Sequence, residues 1–430
     1  TNEKLPCASQ IERKHTEICA ADITQTMNIK SYKYSLYDFA NSAFTTVIIT
    51  FVFSNYFVES IVQDMVNGQA YWGWAISISG LCIAFSGPFL GNLADKKNLN
   101  SIILKTSTYL CILFTAALWF AKPSSEYILF TLIIVCLANY FYELSSMFYN
   151  SLLIHSADKQ HVGKVSGFAF ALGYLGGIIT LILTIILLIQ SNYLIDLDQK
   201  INFRSSAIFV ALWFLIFSYP LLNQTKYKKV KLNKKKSNSL KKILWNNGLT
   251  NTTRFLFARL LYADGLNTIF VMGGIFAVGV FKLSINELLM MSVLMNVAAL
   301  IGASFGGYFN DKYNSKKTIS FSLICLIFFS ILIIFTQSKI SFFIFSFFLG
   351  LFIGPIQSAS RVMITKLTNI EDQNKAFGLF ATSGKLTSFF GPFLVGTITF
   401  ITENQRIGFA SVLLLLISGW IILYRTKGLK

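Results

Sequence analysis

The chain reads as an all-α integral membrane protein, with twelve transmembrane helices in two pseudo-symmetric six-helix bundles. Composition, the length of the charge-free runs and a polar phrase written twice carry that reading. Of 430 residues, 54% are hydrophobic and 13% charged, with a mean hydropathy of +0.59; soluble domains average about 25% charged. No charged residue lies between Lys164 and Asp196, Arg204 and Lys226, Glu287 and Asp311, Lys317 and Lys339, or Lys339 and Arg361. Each gap holds the roughly 20 residues a helix needs to cross a bilayer, whereas barrel strands would alternate over about 10. Asp38-Phe39-Ala40-Asn41-Ser42 returns as Asp264-Gly265-Leu266-Asn267-Thr268, each copy just after a tyrosine, Tyr37 or Tyr262.

Taken in order, residues 1–33 read as a polar cytoplasmic tail, of which 1–26 are expected to be an extension or a start-site artefact ahead of Met27. They hold no apolar run of signal-peptide type. An N-terminal bundle over 34–222 has spans predicted near 35–57, 71–94, 101–121, 127–153, 166–190 and 204–222, with an outer loop at 58–71. A basic linker over 223–250 follows. The C-terminal bundle, 251–430, has spans near 254–281, 286–309, 318–336, 340–361, 375–400 and 406–425.

The net charge is +18, and nine lysines fall between Lys226 and Lys242 with no acid among them. The outer loops and their edges hold six of the 37 bases: Lys122, Lys200, Arg204, Lys282, Lys339 and Arg406. Glu59, Asp64, Asp196 and Asp198 lie on that side. This asymmetry predicts cytoplasmic termini by the positive-inside rule. The 226–242 cluster then reads as topogenic and as a contact for anionic lipid headgroups, not nucleic acid.

The halves repeat beyond the opening phrase. Gly91-Asn92-Leu93-Ala94-Asp95-Lys96 recurs as Gly307-Tyr308-Phe309-Asn310-Asp311-Lys312, each copy ending the second span of its half, and Gly167 corresponds to Gly378. The six cysteines form no C-x-x-C pair and none sits near His at zinc spacing. Neither G-x-x-x-x-G-K-[S/T] nor H-E-x-x-H occurs. No metal, no cofactor and no enzymatic activity are therefore expected.

Asp38, Glu143, Arg259, Asp264 and Lys385 are the ionisable residues deepest in the predicted spans. Intramembrane charges are costly and mark either structural pairs or binding and proton sites. Arg259 lies five residues before Asp264 and could be its structural partner or part of a site. Lys385, between Gly384 and a helix break expected at Gly391-Pro392, suits a substrate carboxylate or a neighbouring acid. Glu143 is either a proton carrier or a satisfied structural acid. Asp38 has no arginine in its own helix and is expected to be the better proton site. Asn41, Asn150, Asn267 and Gln357 add neutral hydrogen-bonding groups, and a site with both charges and amides suits a small zwitterion. Arg361, at the inner end of the tenth span, is expected to belong to the cytoplasmic gate.

The duplicated Gly-x-x-x-Asp-Lys phrase resembles the cytoplasmic signature of the major facilitator superfamily, which implies a cytoplasmic gate formed by Gly91, Asp95, Lys96, Gly307, Asp311 and Lys312 with Arg361. Asn98 and Asn314 stand where that family has Gly, in a left-handed turn that Asn tolerates better than other non-glycine residues. Leu99 and Asn100 replace common bases, so the first latch is expected to be weaker. Tyr37-Asp38-Phe39-Ala40-Asn41-Ser42, Phe148-Tyr149-Asn150-Ser151, Gly354-Pro355-Ile356-Gln357-Ser358 with Arg361, and Ser383-Gly384-Lys385 are similar to the "unknown major facilitator, type one" branch. That branch is related to the autophagy-linked amino-acid effluxers of fungal vacuoles. The resemblance implies a secondary transporter working by alternating access, with proton coupling and amino-acid efflux as expectations, as a monomer in a bacterial inner membrane. The alternatives are a transporter of another metabolite and a non-transporting receptor or scaffold.

Overall fold

In a computed structural model, residues 28–189, 200–223, 239–246 and 248–426 are described. The 1–26 segment, Asp196, Asp198 and Lys226 to Lys236 of the basic cluster lie outside the described residues. Among the described residues, twelve helical segments are long and apolar enough to cross a membrane. These are α1 (Ile29–Val62), α2 (Asn67–Lys97), α3 (Asn100–Phe120), α4 (Ser125–Ser151), α5 (Val162–Ile186) and α6 (Ile201–Leu222), then α7 (Asn251–Phe281), α8 (Met290–Tyr313), α9 (Ser315–Phe335), α10 (Lys339–Leu367), α11 (Ile370–Thr402) and α12 (Gln405–Arg425). Among the described residues the only β-pairing is an isolated bridge between Trp245 and Leu249.

Every predicted span is present, and most are longer, because helices stay hydrogen-bonded beyond the apolar window that reveals them. The expected outer loop at 58–71 is the largest departure. Helical turns run to Val62 and resume at Met65, leaving a connection of only Gln63 and Asp64. Within α1 the backbone widens into π-helical turns over Phe44–Phe51 and Phe57–Val62, a feature concentrated at functional sites. α11 is broken: one helix ends at Lys385 and the next starts at Phe390.

The near face carries the start of α1 and the α2–α3, α4–α5, α8–α9 and α10–α11 turns. Two turns there need unusual backbone. Asn98 and Asn314 have positive φ, 54° and 83°, but a ψ of 160° takes Asn314 out of the expected left-handed turn into a region still less suited to a Cβ. The two bundles meet chiefly where α2 packs on α11 and α5 on α8. Glycine makes both approaches possible: a Cβ on Gly307 would lie 2.6 Å from the Gly163 oxygen, and one on Gly378 2.6 Å from the Gly87 oxygen.

Candidate functional site

Between the bundles lies a cavity of about 750 Å³. α1 and α5 line one side and α7 and α10 the other, with α4, α8 and α11 contributing residues. It runs from Asp38 and Arg361 away from the near face, past Thr45 and Asn296, to Thr50, Phe51 and Ile185. Of the site residues predicted from the sequence, Asp38, Asn41, Asn150, Arg259, Asn267 and Gln357 line it. Glu143, Asp264 and Lys385 do not, whereas Arg361, assigned to the gate, does.

Asp38 and Arg361 close the bottom of the cavity. The Arg361 guanidinium donates to Asp38 Oδ2 at 2.9 Å, with both side chains at most 10% exposed, and to the Tyr34 hydroxyl at 3.2 Å. Its carbon lies 3.9 Å over the Phe170 ring. Tyr34, Tyr37 and Tyr149 stack around the pair with centroids 4.3 and 4.5 Å apart. Asp38 has no arginine in its own helix, but α10 supplies one, so it is not an unaccompanied acid. The pair links α1 of one bundle to α10 of the other, and loss of either partner would leave an uncompensated buried charge.

Arg259 and Asp264 do not meet. A helix turns about 100° per residue, so five residues put their side chains about 140° apart. Arg259 stacks on Phe380, its guanidinium carbon 3.3 Å from the ring centroid, and donates to the Phe380 carbonyl and to Ser383 Oγ at 2.7 Å. Among the described residues no carboxylate lies within ion-pair distance of it. The acid whose charge acts on it, Glu143, is paired directly with Lys385, so a cavity-facing cation without an ion pair of its own is open to an anionic group.

Asp264 faces the break in α11. Its Oδ2 accepts the Gly391 N–H at 2.9 Å, while the buried Oδ1 has no partner. Asn267 donates to the Ser388 carbonyl at 3.0 Å. The second Asp-x-x-Asn phrase thus binds the break from α7. In the first phrase Asp38 reaches instead for Arg361, and Asn41 Nδ2 turns back toward Asp38 at 3.5 Å. Lys385, at the end of the first α11 helix, pairs with Glu143 of α4 at 2.7 Å. Each is therefore the other's counter-ion.

Neutral groups complete the lining. Gln357 Oε1 accepts from the Tyr174 hydroxyl at 2.8 Å. Asn150 Oδ1 is buried without a hydrogen-bond partner and borders the same cavity, as does Ser146. Sequence reasoning missed Ser146, Tyr174 and Asn296. Asn296 could have been found as an isolated amide in the charge-free run after Glu287.

At the near face the duplicated phrase forms two reciprocal latches. Asp95 of α2 accepts the Asn374 and Lys375 N–H groups at 3.2 and 2.9 Å and Asn374 Nδ2 at 2.8 Å. Asp311 of α8 accepts the Gly163 and Lys164 N–H groups, both at 2.7 Å. Each carboxylate thus caps the first turn of a helix in the opposite bundle, where free N–H groups and the helix dipole favour an anion. Gly91 lets α2 approach the Asn374 carbonyl closely enough for this to happen. Lys96 and Lys312 are exposed; Lys312 lies over the Tyr308 and Tyr313 rings. The first latch is not the poorer one in bonds: Asp95 has three donors, and Asn100 joins through Ser151 to Asn374.

This arrangement, closed at one face by paired latches and hollow behind them, has relatives. The model of the family described as "Vacuole effluxer Atg22 like" matches residues 154–428, and that of the Major Facilitator Superfamily matches 25–181. The MFS-type transporter YxiO of Bacillus subtilis is 26% identical over 401 residues, covering 90% of this chain and 92% of that protein. Autophagy-related protein 22 of Saccharomyces cerevisiae is 23% identical over 293 residues, 59% of this chain and 54% of its own length. Among solved structures, the transporter FucP in its outward conformation superposes with a TM-score of 0.75 at 12% identity, covering 93% of this chain and 99% of that one. The proton:xylose symporter XylE gives 0.72 at 13% identity, covering 92% and 94%. The chain belongs to the Atg22-like effluxer family of the major facilitator superfamily, and is a multipass secondary transporter.

Proposed function

We propose that the protein exports small amino-acid-like solutes across a bacterial inner membrane, by rocking two six-helix units (34–222 and 251–430) about the cavity. On this reading the near face is cytoplasmic, 223–250 is the connecting linker, its lysines meet anionic headgroups, residues 1–33 form a tail, and the protein works as a monomer. The single observation that carries the substrate class is Arg259. It is a cavity-facing guanidinium with no carboxylate within ion-pair distance among the described residues, in a cavity that also holds the unpartnered Asn150 Oδ1. A solute carboxylate fits the first group and an ammonium fits the second. Asn41, Asn267 and Gln357 would complete the recognition of a small zwitterion.

Proton coupling is better assigned to Asp264 than to Asp38. Asp38 and Glu143 each have a cation at hydrogen-bond distance. Asp264 has only a backbone N–H and one unpaired oxygen, so a proton there would not have to displace a salt bridge. Kinship with an effluxer family supports the outward direction.

The test is flux in proteoliposomes loaded in turn with single amino acids, with and without a pH gradient. Saturable flux of at least one amino acid, lost in Arg259→Gln and reduced in Arg259→Lys, is the expected result. Uptake or release confined to uncharged solutes, unaffected by Arg259→Gln, would overturn the reading.

A further inference from the structure

A second hollow lies outside the central cavity and shares no lining residue with it. It is an apolar crevice of about 560 Å³ on the surface where α8, α9 and α10 meet, within the roughly 300–1,000 Å³ of ordinary ligand pockets. Its floor exists because Gly302 and Gly306 carry no side chain: a Cβ on Gly306 would lie 2.7 Å from Pro355 Cα. Its walls are aromatic and open outward, with Phe305 and Phe321 each 63% exposed in mid-membrane helices. Such residues face hydrocarbon.

The crevice has a direction. It begins at Tyr313 and Lys317 at the near face and ends at Gly302 and Leu351. Eleven helical residues rise about 17 Å, close to the roughly 15 Å of hydrocarbon in one leaflet. Its mouth is cationic. Lys317 is exposed, and no carboxylate stands within ion-pair distance among the described residues. Lys312 lies 5.3 Å over the ring of Tyr313, which lines the mouth, and no acid lines the crevice.

We propose that this crevice is a binding site for an anionic phospholipid of the near-face leaflet, one acyl chain lying along α8 and its phosphate on Lys317. The length of the crevice, its apolar walls and its single-signed mouth match that occupant together. A free anion would have no use for the apolar part, and a zwitterionic lipid no preference for the lysine.

The experiment uses the full chain, purified in mild detergent with equal phosphatidylglycerol and phosphatidylcholine, and counts retained lipids by native mass spectrometry. The expected result is one tightly held phosphatidylglycerol, preferred several-fold, with the preference lost in Lys317→Gln. A second measurement needs no retention. In vesicles containing a small fraction of brominated phosphatidylglycerol, the added emission of Phe305→Trp is quenched several-fold more than that of Phe328→Trp, a lipid-facing control on α9 outside the crevice. Equal retention of the two lipids, an unchanged preference in Lys317→Gln, equal quenching at both positions, or a cross-linked dimer burying Phe305 would each overturn the proposal.

Discussion

Asp264 in α7 accepts the backbone N–H of Gly391 at 2.9 Å, holding the start of the second α11 helix from a neighbouring span. The bond joins two features that are far apart in the chain: a repeated acidic phrase and an interruption between Lys385 and Phe390. A helix broken inside a membrane needs its exposed backbone groups satisfied. Asp264 and Asn267 do this from the opposite side of the gap.

Two substitutions separate that structural role from proton carriage. Asp264→Asn keeps an oxygen for Gly391 but cannot bind and release a proton. It should fold with nearly unchanged thermal stability and lose the effect of a pH gradient on flux. Asp264→Ala removes the acceptor as well and should cost about 1–3 kcal/mol, the penalty for an unsatisfied buried donor. Full gradient dependence in Asp264→Asn would take the proton away from this residue.

The Asp38–Arg361 pair predicts a different pattern. Removing one partner leaves a buried charge without its counter-ion, at about 3–5 kcal/mol. Asp38→Ala and Arg361→Ala should each lower the yield of folded protein sharply. Asp38→Ala combined with Arg361→Ala should recover part of it, because no buried charge is left behind. The double-mutant cycle should show a coupling of about 0.5–3 kcal/mol, as residues in contact do. A coupling near zero in denaturation by mild detergent exchange would mean that the pair is incidental.

The contrast between these two acids shows what was legible in the sequence. Span count and the duplicated phrases were readable, because each depends on local chemistry along one helix, and the resemblance to a family with Gly at those positions pointed to Asn98 and Asn314. Partner choice was not. Arg259 lies near Asp264 in the chain but points about 140° away from it, while Arg361, on α10, is what Asp38 meets. Likewise Lys385 and Glu143 form one ion pair from two spans, which no local pattern encodes. The α11 break was half visible, since Gly391 and Pro392 marked the region but not the residues that unwind.

Asn314 offers a stability test outside the site. It sits at φ 83° and its side-chain oxygen accepts the Lys317 N–H at 3.0 Å, capping α9. Asn314→Ala loses the cap, worth about 0.5–2 kcal/mol, and keeps the backbone cost of a Cβ at positive φ. Asn314→Gly also loses the cap but relieves the backbone, and replacing a cap by Gly costs only a few tenths of a kcal/mol. Melting curves in detergent should therefore rank native and Gly close together and Ala well below. Equal loss in both variants would show that the conformation is not strained.

The two latches make the last prediction, about which face opens. Asp95 and Asp311 each anchor a helix N-terminus of the other bundle, and hydrogen bonds to a charged group are worth about 1.5–3 kcal/mol. Asp95→Asn or Asp311→Asn weakens one latch, and every 1.4 kcal/mol lost changes the balance of near-face closed to open about tenfold. Ser166 reports on that balance. It is buried, and its hydroxyl donates to the Ser358 carbonyl across the interface at 3.0 Å. A cysteine placed there by Ser166→Cys, read against a background lacking the native thiols, should react slowly with a membrane-impermeant maleimide in the parent. Its labelling should rise several-fold with either latch variant and further with both. Gly91→Ala should raise it too, because its Cβ would collide with the Asn374 carbonyl and hold α2 off α11. If labelling stays slow in all of these variants, the carboxylates brace their helices without governing closure.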